Sequence, residues 1–406
     1  MLKSDAFAPG RSAFHESGKT GRILKEYTPA NGEWLAGEAR YGPGLKNYGK
    51  NANTFLQAGF CFVIDPRILC IFSSRGTETL RNVLSLFMTV KQLTCILLVL
   101  AGIAGFKPLH KPVRHHPGSP IAAQYPDDRG IEQDPDVLYA EKFNDGMPNI
   151  RARYTDVVNS EGMSLDSVDV PAKGCVALKI TNQGGKNDGG HLFRMFDPGF
   201  DSVLYIRYYV KYPSGSKGYI HHESVWIGGY HPATRYPNPR AGTCALGDQR
   251  ISIAYEPVGP RDDMDTYLYW GDMRAGARGK CYGNDLINGS PQSKKIPWDQ
   301  WMCVELMIRL NHPATASNGE LQVWQNGTAV GHWGPGFPNG KWLADSWMND
   351  KAGHPFEGFR WRTNEKLNLN YIWIEFYDDT TPEGASHHIK FSNLVIAKRY
   401  IGPIKR

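Results

Sequence analysis

The sequence predicts an all-β fold, a two-sheet antiparallel β-jelly-roll sandwich, on three observations. Composition is the first: 12% of residues are aromatic, and 44 Gly and 27 Pro supply the turn residues that many short strands require. The second is a succession of short strand-like runs from residue 137 to the end of the chain. The third is strict two-residue alternation inside several of those runs, the mark of a strand with one face on a core.

In order the runs are VLYAEKF (137–143), CVALKI (175–180), HLFRMF (191–196), SVLYIRYYVKY (202–212), YIHHESVWIGGY (219–230), RISIAYEP (250–257) and TYLYWGDM (266–273). WMCVELMIRLN (301–311), ELQVWQNG (320–327), FEGFRWR (356–362), LNYIWIEFY (369–377) and HHIKFSNLVIAKRYI (387–401) follow. Alternation is clearest in 301–311, where Met302, Val304, Leu306, Ile308 and Leu310 form one face and Trp301, Cys303, Glu305, Met307 and Arg309 the other. Ile251 and Ile253 alternate with Arg250 and Ser252, and Ile372, Ile374 and Phe376 with Trp373, Glu375 and Tyr377. No helical period competes with these runs, which disfavours any α/β plan.

Upstream, the apolar run 93–106 (LTCILLVLAGIAGF) follows Met88-Thr-Val-Lys91 and is shorter than the roughly 20 residues of a membrane span. A short basic segment, an apolar stretch and small residues up to Gly105 outline a signal peptide over 88–105. Residues 1–87 show no sustained period and are read as an extension outside the fold, with translation beginning at Met88. Residues 106–136, rich in Pro, His and charge, read as a flexible leader. The expectation is a secreted or periplasmic monomer without stable membrane association after cleavage.

The formal net charge of +6 comes mainly from the first 105 residues, which hold 12 Lys/Arg against 7 Asp/Glu; residues 106–406 hold 34 against 33. That near balance excludes the basic stripe that nucleic-acid binding requires. Of seven Cys, four lie after residue 106. Cys244 and Cys281 sit in Gly-rich loops and are expected to form a disulfide, whereas Cys175 and Cys303 open strands; four free buried thiols are the alternative. There is no C-x-x-C, and the pairs His115/His116, His221/His222 and His387/His388 lack the spacing of a helical zinc site.

The opening run VLYAEKFNDG, the hairpin GELQVWQNGTAVGHW and the closing HHIKFSNLVIAKRYIGPI resemble the concanavalin A-like (laminin-G-like) jelly roll of many lectins and several polysaccharide lyases. YIRYYVKYPSGSKGYIHHESVWIGGY resembles the alginate, glucuronan and heparin lyase branch. The resemblance implies that first and last strands pair and that the outer face of one curved sheet forms a substrate groove. It implies an acidic polysaccharide as partner and no required cofactor, with a structural Ca²⁺ near the first and last strands, where Glu141, Asn144, Asp145, Asp378 and Asp379 offer hard oxygen ligands.

By parity, Arg194, Arg250, Arg360, Arg362, Trp373, Glu375, Tyr377, Tyr267 and Tyr269 face away from the core, and His221, His222 and Glu223 form the densest knot. Flat Trp and Tyr faces pack on sugar rings, and Arg forks bind carboxylates. Elimination from a uronate polymer needs a carboxylate neutraliser, a base and an acid. Arg194, Arg360 or Arg362 are candidates for the first, His221 or His222 for the second, Tyr255 or Tyr269 for the third. Alternation expects only one of the adjacent histidines to reach the groove.

Two other readings stay open. A glycosidase needs two facing carboxylates; the E-x-D-x-x-E run of laminarinase-type enzymes is absent, leaving Glu223, Glu256, Glu305 and Glu375 to pair across strands. A lectin-like module would bind sugar in the same groove without cutting it. The long loops 228–242 and 269–284 read as binding loops, with His231, Arg235, Asp272 and Arg274 as their notable residues. Asn288-Gly-Ser290 and Asn326-Gly-Thr328 match glycosylation acceptors but read as hairpin turns.

Overall fold

Strand alternation sorts residues between a dry interior and two outer faces, and the computed structural model follows it. It describes residues 60–64, 67–71 and 118–405, except 219–220, 236–238, 259–261 and 288–293. The chain divides into two units, Met1–Ala104 and Gly105–Arg406. In the first, β1 (Phe60–Ile64) and β2 (Arg67–Ile71) form an antiparallel hairpin. The run read as a signal peptide, the leader up to residue 117 and Asn288 lie outside the described residues. Among the described residues no helix is long and apolar enough to cross a membrane.

The second unit is a sandwich of two antiparallel sheets with, among the described residues, one short α-helix, α1 (Met147–Ala152). One sheet has the spatial order β12 (Lys294–Lys295), β11 (Asp263–Tyr269), β10 (Arg250–Val258), β9 (His222–Tyr230), β19 (Leu369–Tyr377), β7 (Gly189–Phe200), β4 (Asp156–Val158). The other runs β15 (Thr328–Trp333), β14 (Glu320–Gln325), β13 (Trp301–Arg309), β8 (Val203–Lys211), β20 (Ser386–Ala397), β6 (Ala177–Gln183), β5 (Met163–Asp166). The opening strand β3 (Val137–Glu141) pairs with the closing β20, so first and last strands are neighbours as expected. A small third sheet, β17 (Ser346–Asn349), β16 (Asn339–Leu343) and β18 (His354–Pro355), was not foreseen.

Between the two large sheets, Ile206, Tyr208 and Val210 of β8 and Val304, Leu306 and Ile308 of β13 face Val225 and Ile227 of β9, Ile251 and Ile253 of β10, and Ile372 and Ile374 of β19. Each such burial contributes about 1.5–3 kcal/mol, and one residue of register slip would turn the whole row to solvent. The hairpin β14–β15 turns on Asn326 (φ 53°) and Gly327 (φ 76°), left-handed positions that these residue types tolerate. The run 356–362 is not a strand beyond an isolated bridge between Phe359 and Gly319. Phe359 and Trp361 instead stack at 4.0 Å and pack inward.

Residues 118–136, expected to be flexible, form three 3₁₀ turns across the outer face of the β8–β13–β20 sheet. Ile121 and Ile131 are fully buried there against Tyr205, Met307 and Val395. Asp128 forms an ion pair with Arg207, both almost wholly buried, and also accepts from Asn393 at 2.9 Å. The Ile121 and Ala122 N–H groups donate to the Tyr400 and Ile401 carbonyls at 3.2 and 2.9 Å. Glu305 accepts the N–H groups of Ile401 and Gly402 at 2.7 and 2.8 Å; burial pushes its pKa up to about 7 against those two bonds. The period of 2 could not reveal this strap, because it is held by single anchors.

Candidate active site

The outer face of the seven-stranded sheet carries what alternation leaves over. Trp373 stands in register between Phe193 and Trp226, Tyr371 between Met195 and Gly228, and Glu375 between His191 and Ser224. Tyr267 stands opposite Ala254 on the far side. The rings form a continuous floor: Trp226 lies 5.2 Å from Tyr267 and 6.2 Å from Trp373, and Phe193 lies 5.7 Å from Trp373. The buried indole Nε1 atoms of Trp226 and Trp373 have no partner among the described residues. Of these rings Trp373 and Tyr267 are partly exposed, whereas Trp226 and Phe193 are almost wholly buried beneath them.

At one end of this floor three titratable groups converge. His222 Nδ1 lies 3.0 Å from Glu256 Oε1. Burial works against charging the ring, but the Glu256 carboxylate prevails and His222 titrates above its ordinary value. On the other side of Glu375, His191 Nε2 lies 3.3 Å from Asp156 Oδ2, with Arg235 reaching the same carboxylate at 3.5 Å. Here burial outweighs Asp156 and holds His191 below its ordinary value. Glu375, between them, has no hydrogen-bond partner among the described residues; burial pushes its pKa up to about 8, with His222 opposing and Glu256 adding to the rise. Burial thus favours the neutral forms of His191 and Glu375, while the Glu256 carboxylate favours the charged form of His222.

His221 and His222 share this end of the groove, stacked at 4.4 Å, with Tyr377 5.1 Å from His221. The expectation that only one reaches it is corrected: His221 precedes the first residue of β9, so strand alternation does not bind it. Tyr377 stays protonated, its pKa pushed up to about 12 by burial and Asp379. Arg250 closes the opposite end: its guanidinium lies 3.6 Å over the Tyr269 ring, Nε donates to Ser252 at 2.8 Å and Nη1 to the Pro239 carbonyl at 2.9 Å. Trp373, Glu375, Tyr377, Tyr267, His222 and Arg250 thus stand on the expected face.

Other assignments are corrected. Arg194 shares parity with Leu192 and leaves the floor; its Nη1 donates to the Arg153 carbonyl at 2.6 Å and its guanidinium lies 4.9 Å from the Tyr139 ring centre. Tyr255 shares parity with Ile251 and Ile253 and donates to Gln325 Oε1 at 2.9 Å within the core. Glu223 also points inward, fully buried without a side-chain partner for its carboxylate among the described residues, and burial raises its pKa well above the ordinary range. Arg360 is committed to Asp272 at 3.0 Å, and Arg362 to Asp201 at 2.6 Å and Glu365 at 2.8 Å, as loop fastenings. Arg274 pairs with Glu357 at 3.1 Å beside Trp342 in the small sheet. Tyr269 keeps the expected face but lies buried beneath Arg250, its hydroxyl donating to the Cys281 carbonyl at 2.9 Å.

The calcium donors are not gathered either. Glu141 accepts from Arg153 at 2.8 Å, with Asp145 on the same guanidinium, so a cation already stands among them. Asn144 is exposed, Asp378 accepts from His387 at 3.1 Å, and Asp379 pairs with His221 at 3.4 Å. Among the described residues no group of three or more His, Cys, Asp or Glu is placed to hold a metal ion. Cys244 and Cys281 are disulfide-bonded, while Cys175 and Cys303 are free and buried. His191, Asp156, Trp226 and Phe193 were missed; the odd parity of His191, Phe193 and Met195 in HLFRMF was the available signal.

No protein-family model matches the chain, and no curated protein sequence matches it. Solved structures do resemble it. An alginate lyase from Chlorella virus is 15% identical, covering 65% of this chain and 100% of that one, with a TM-score of 0.42. An endo-β-1,4-glucuronan lyase from the fungus Trichoderma reesei is 11% identical over 65% of this chain and 91% of its own, TM-score 0.32. A laminarinase from Flavobacterium sp. UMI-01 is 13% identical over 64% and 100%, TM-score 0.33. What the groove can do follows from its own residues.

Proposed function

We propose that the groove binds a uronate-containing polysaccharide and cleaves it by β-elimination. The observation that carries this reading is the placing of Glu375 between His191, held by Asp156 at 3.3 Å, and the end of the groove where His222 meets Glu256 at 3.0 Å; burial favours the neutral forms of His191 and Glu375, and Glu256 the cation of His222. Two titratable groups pushed apart in this way are suited to act as base and acid at one pH. A sugar ring packs on Trp373 with its carboxylate towards Glu375, whose carboxylic acid donates a hydrogen bond and offsets the charge. His191, oriented through Nε2 by Asp156, takes the proton α to that carboxylate on Nδ1. The electrons left behind form the ring double bond as the glycosidic C–O bond breaks, and the His222 imidazolium protonates the departing oxygen.

Hydrolysis is the second reading. Glu375, kept protonated, and Glu256, beside His222, would be its acid and its base or nucleophile. A disulfide between Gly-rich loops supports an oxidising, extracytoplasmic location for either reading. The test incubates the protein with uronate-containing and neutral polysaccharides while following near-ultraviolet absorbance and reducing ends together. Both rising supports elimination; reducing ends alone mean hydrolysis; retention on one polymer without either signal means a binding module.

A further inference from the structure

We infer that Asn326 is an acceptor for an N-linked glycan, carried on the β14–β15 hairpin when the chain passes through a eukaryotic secretory pathway. The sequence offers two acceptor motifs, and Asn326-Gly327-Thr328 is the one that lies among the described residues. A hairpin turn and an acceptor are compatible here. Asn326 (φ 53°) and Gly327 (φ 76°) form the two left-handed corners of the turn. The turn is firmly seated: a Cβ on Gly327 would stand 2.9 Å from Pro403, so glycine is what fits between them. Asn326 is tied twice to β13. Its N–H donates to the Cys303 carbonyl at 2.7 Å, and its side-chain Oδ1 accepts the Cys303 N–H at 2.8 Å.

Those two bonds orient the amide. With Oδ1 turned to β13, Nδ2 is the other arm of the amide and has no hydrogen-bond partner among the described residues. Asn326, Gly327, Thr328 and Ala329 are exposed in succession. Transfer of a glycan therefore breaks no contact of the folded chain. Nδ2 loses one proton and bonds to the anomeric carbon of the first sugar, the bond from that carbon to its lipid diphosphate carrier breaks, and Oδ1 keeps the Cys303 N–H. The Cys244–Cys281 disulfide supports passage through the oxidising compartment where that lipid-linked donor is found. The inference stands apart from the groove reading, because β14 and β15 belong to the sheet that does not carry the aromatic floor. β15 is the edge strand of its sheet, and a bulky polar group beside its first residue suits an edge that must not pair with another chain.

The test expresses the whole chain behind an export leader in cultured eukaryotic cells. Protein from the medium, or from the protease-protected lumenal fraction if none is released, is mapped by peptide mass with and without a glycan-removing amidase. The expected result is a glycan on Asn326 in most molecules, with aspartate left at that position after the amidase. Thr328→Ala changes an exposed side chain and leaves both Asn326 bonds to Cys303 in place, so it should abolish the glycan in a folded protein, whereas Thr328→Ser should keep it. Asn326→Gln removes the acceptor and the left-handed corner together, which makes Thr328→Ala the deciding variant. Translocated protein with Asn326 bare in most molecules, or with a glycan on Asn288 alone, overturns the inference. A modification of Asn326 that survives Thr328→Ala overturns it as well.

Discussion

His222 Nδ1 lies 3.0 Å from a carboxylate oxygen of Glu256 on the neighbouring strand, and this contact separates its titration from that of His191, whose Asp156 partner is 3.3 Å away. Burial opposes the charge on both rings, and only at His222 does the carboxylate overcome it. A bell-shaped dependence of kcat/KM on pH follows. The acid limb, where His191 gains a proton, should fall below about pH 6.5, and the alkaline limb, where His222 loses one, above it. Glu256→Gln should move the alkaline limb to lower pH and leave the acid limb in place. An unmoved alkaline limb would remove His222 as the acid.

Glu375 separates elimination from hydrolysis. As a neutral donor it is replaceable by an amide, so Glu375→Gln should keep activity within about tenfold of the parent, whereas Glu375→Ala should lose about 10²–10³ in kcat. If Glu375 instead gives its proton to a leaving group, both variants should be equally inactive. Initial rates on one polymer, read by absorbance and by reducing ends, decide between them.

Trp373→Ala removes the central ring of the floor and one unmet indole donor. Its KM should rise about tenfold, which corresponds to about 1.4 kcal/mol of lost stacking and hydrogen bonding. Trp373→Phe keeps the ring and should fall between. Equal KM values in all three proteins would mean that the floor does not carry substrate.

Glu223 is fully buried, and burial raises its folded-state pKa. The folded protein therefore keeps a proton that the unfolded chain releases above about pH 4.3, so this group's contribution to stability falls as pH rises through that value. Glu223→Gln abolishes the titration. Denaturant unfolding at several pH values should show the variant gaining on the parent from pH 4 upwards; a constant difference would show that Glu223 does not titrate in this way.

The Asp128–Arg207 pair is almost wholly buried. Asp128→Ala leaves the guanidinium uncompensated and should lower unfolding stability by about 3–5 kcal/mol. Replacing Asp128 with Leu and Arg207 with Met together should recover most of the loss. A loss below about 1 kcal/mol for the single variant would mean the strap is an ornament of the fold.

Alternation made much of this legible. Val304, Leu306 and Ile308, and Ile372 with Ile374, were placed in the core from period alone, and Trp373, Glu375 and Tyr377 on the opposite face. The differences lie where a polar side chain turns inward. Arg194 and Tyr255 sit in phase with core residues, and each found an interior partner, a backbone carbonyl and Gln325, that no pattern announces. His191, three residues before Arg194 and in the opposite phase, takes the outward face with Phe193. The strap at 118–136 was illegible for another reason: buried Ile121, Ala122 and Ile131, ion pairs of Asp128, Asp134 and Asp136 and a few backbone bonds hold it, and such scattered anchors have no period.

The bonds from Ile121 and Ala122 to Tyr400 and Ile401 place the entry and the exit of the described sandwich side by side. That junction lies on the outer face of one sheet, while the aromatic floor lies on the outer face of the other. The two ends of the described sandwich are therefore tied together on the side away from the aromatic floor, so a change at that junction and a change in the groove should act independently.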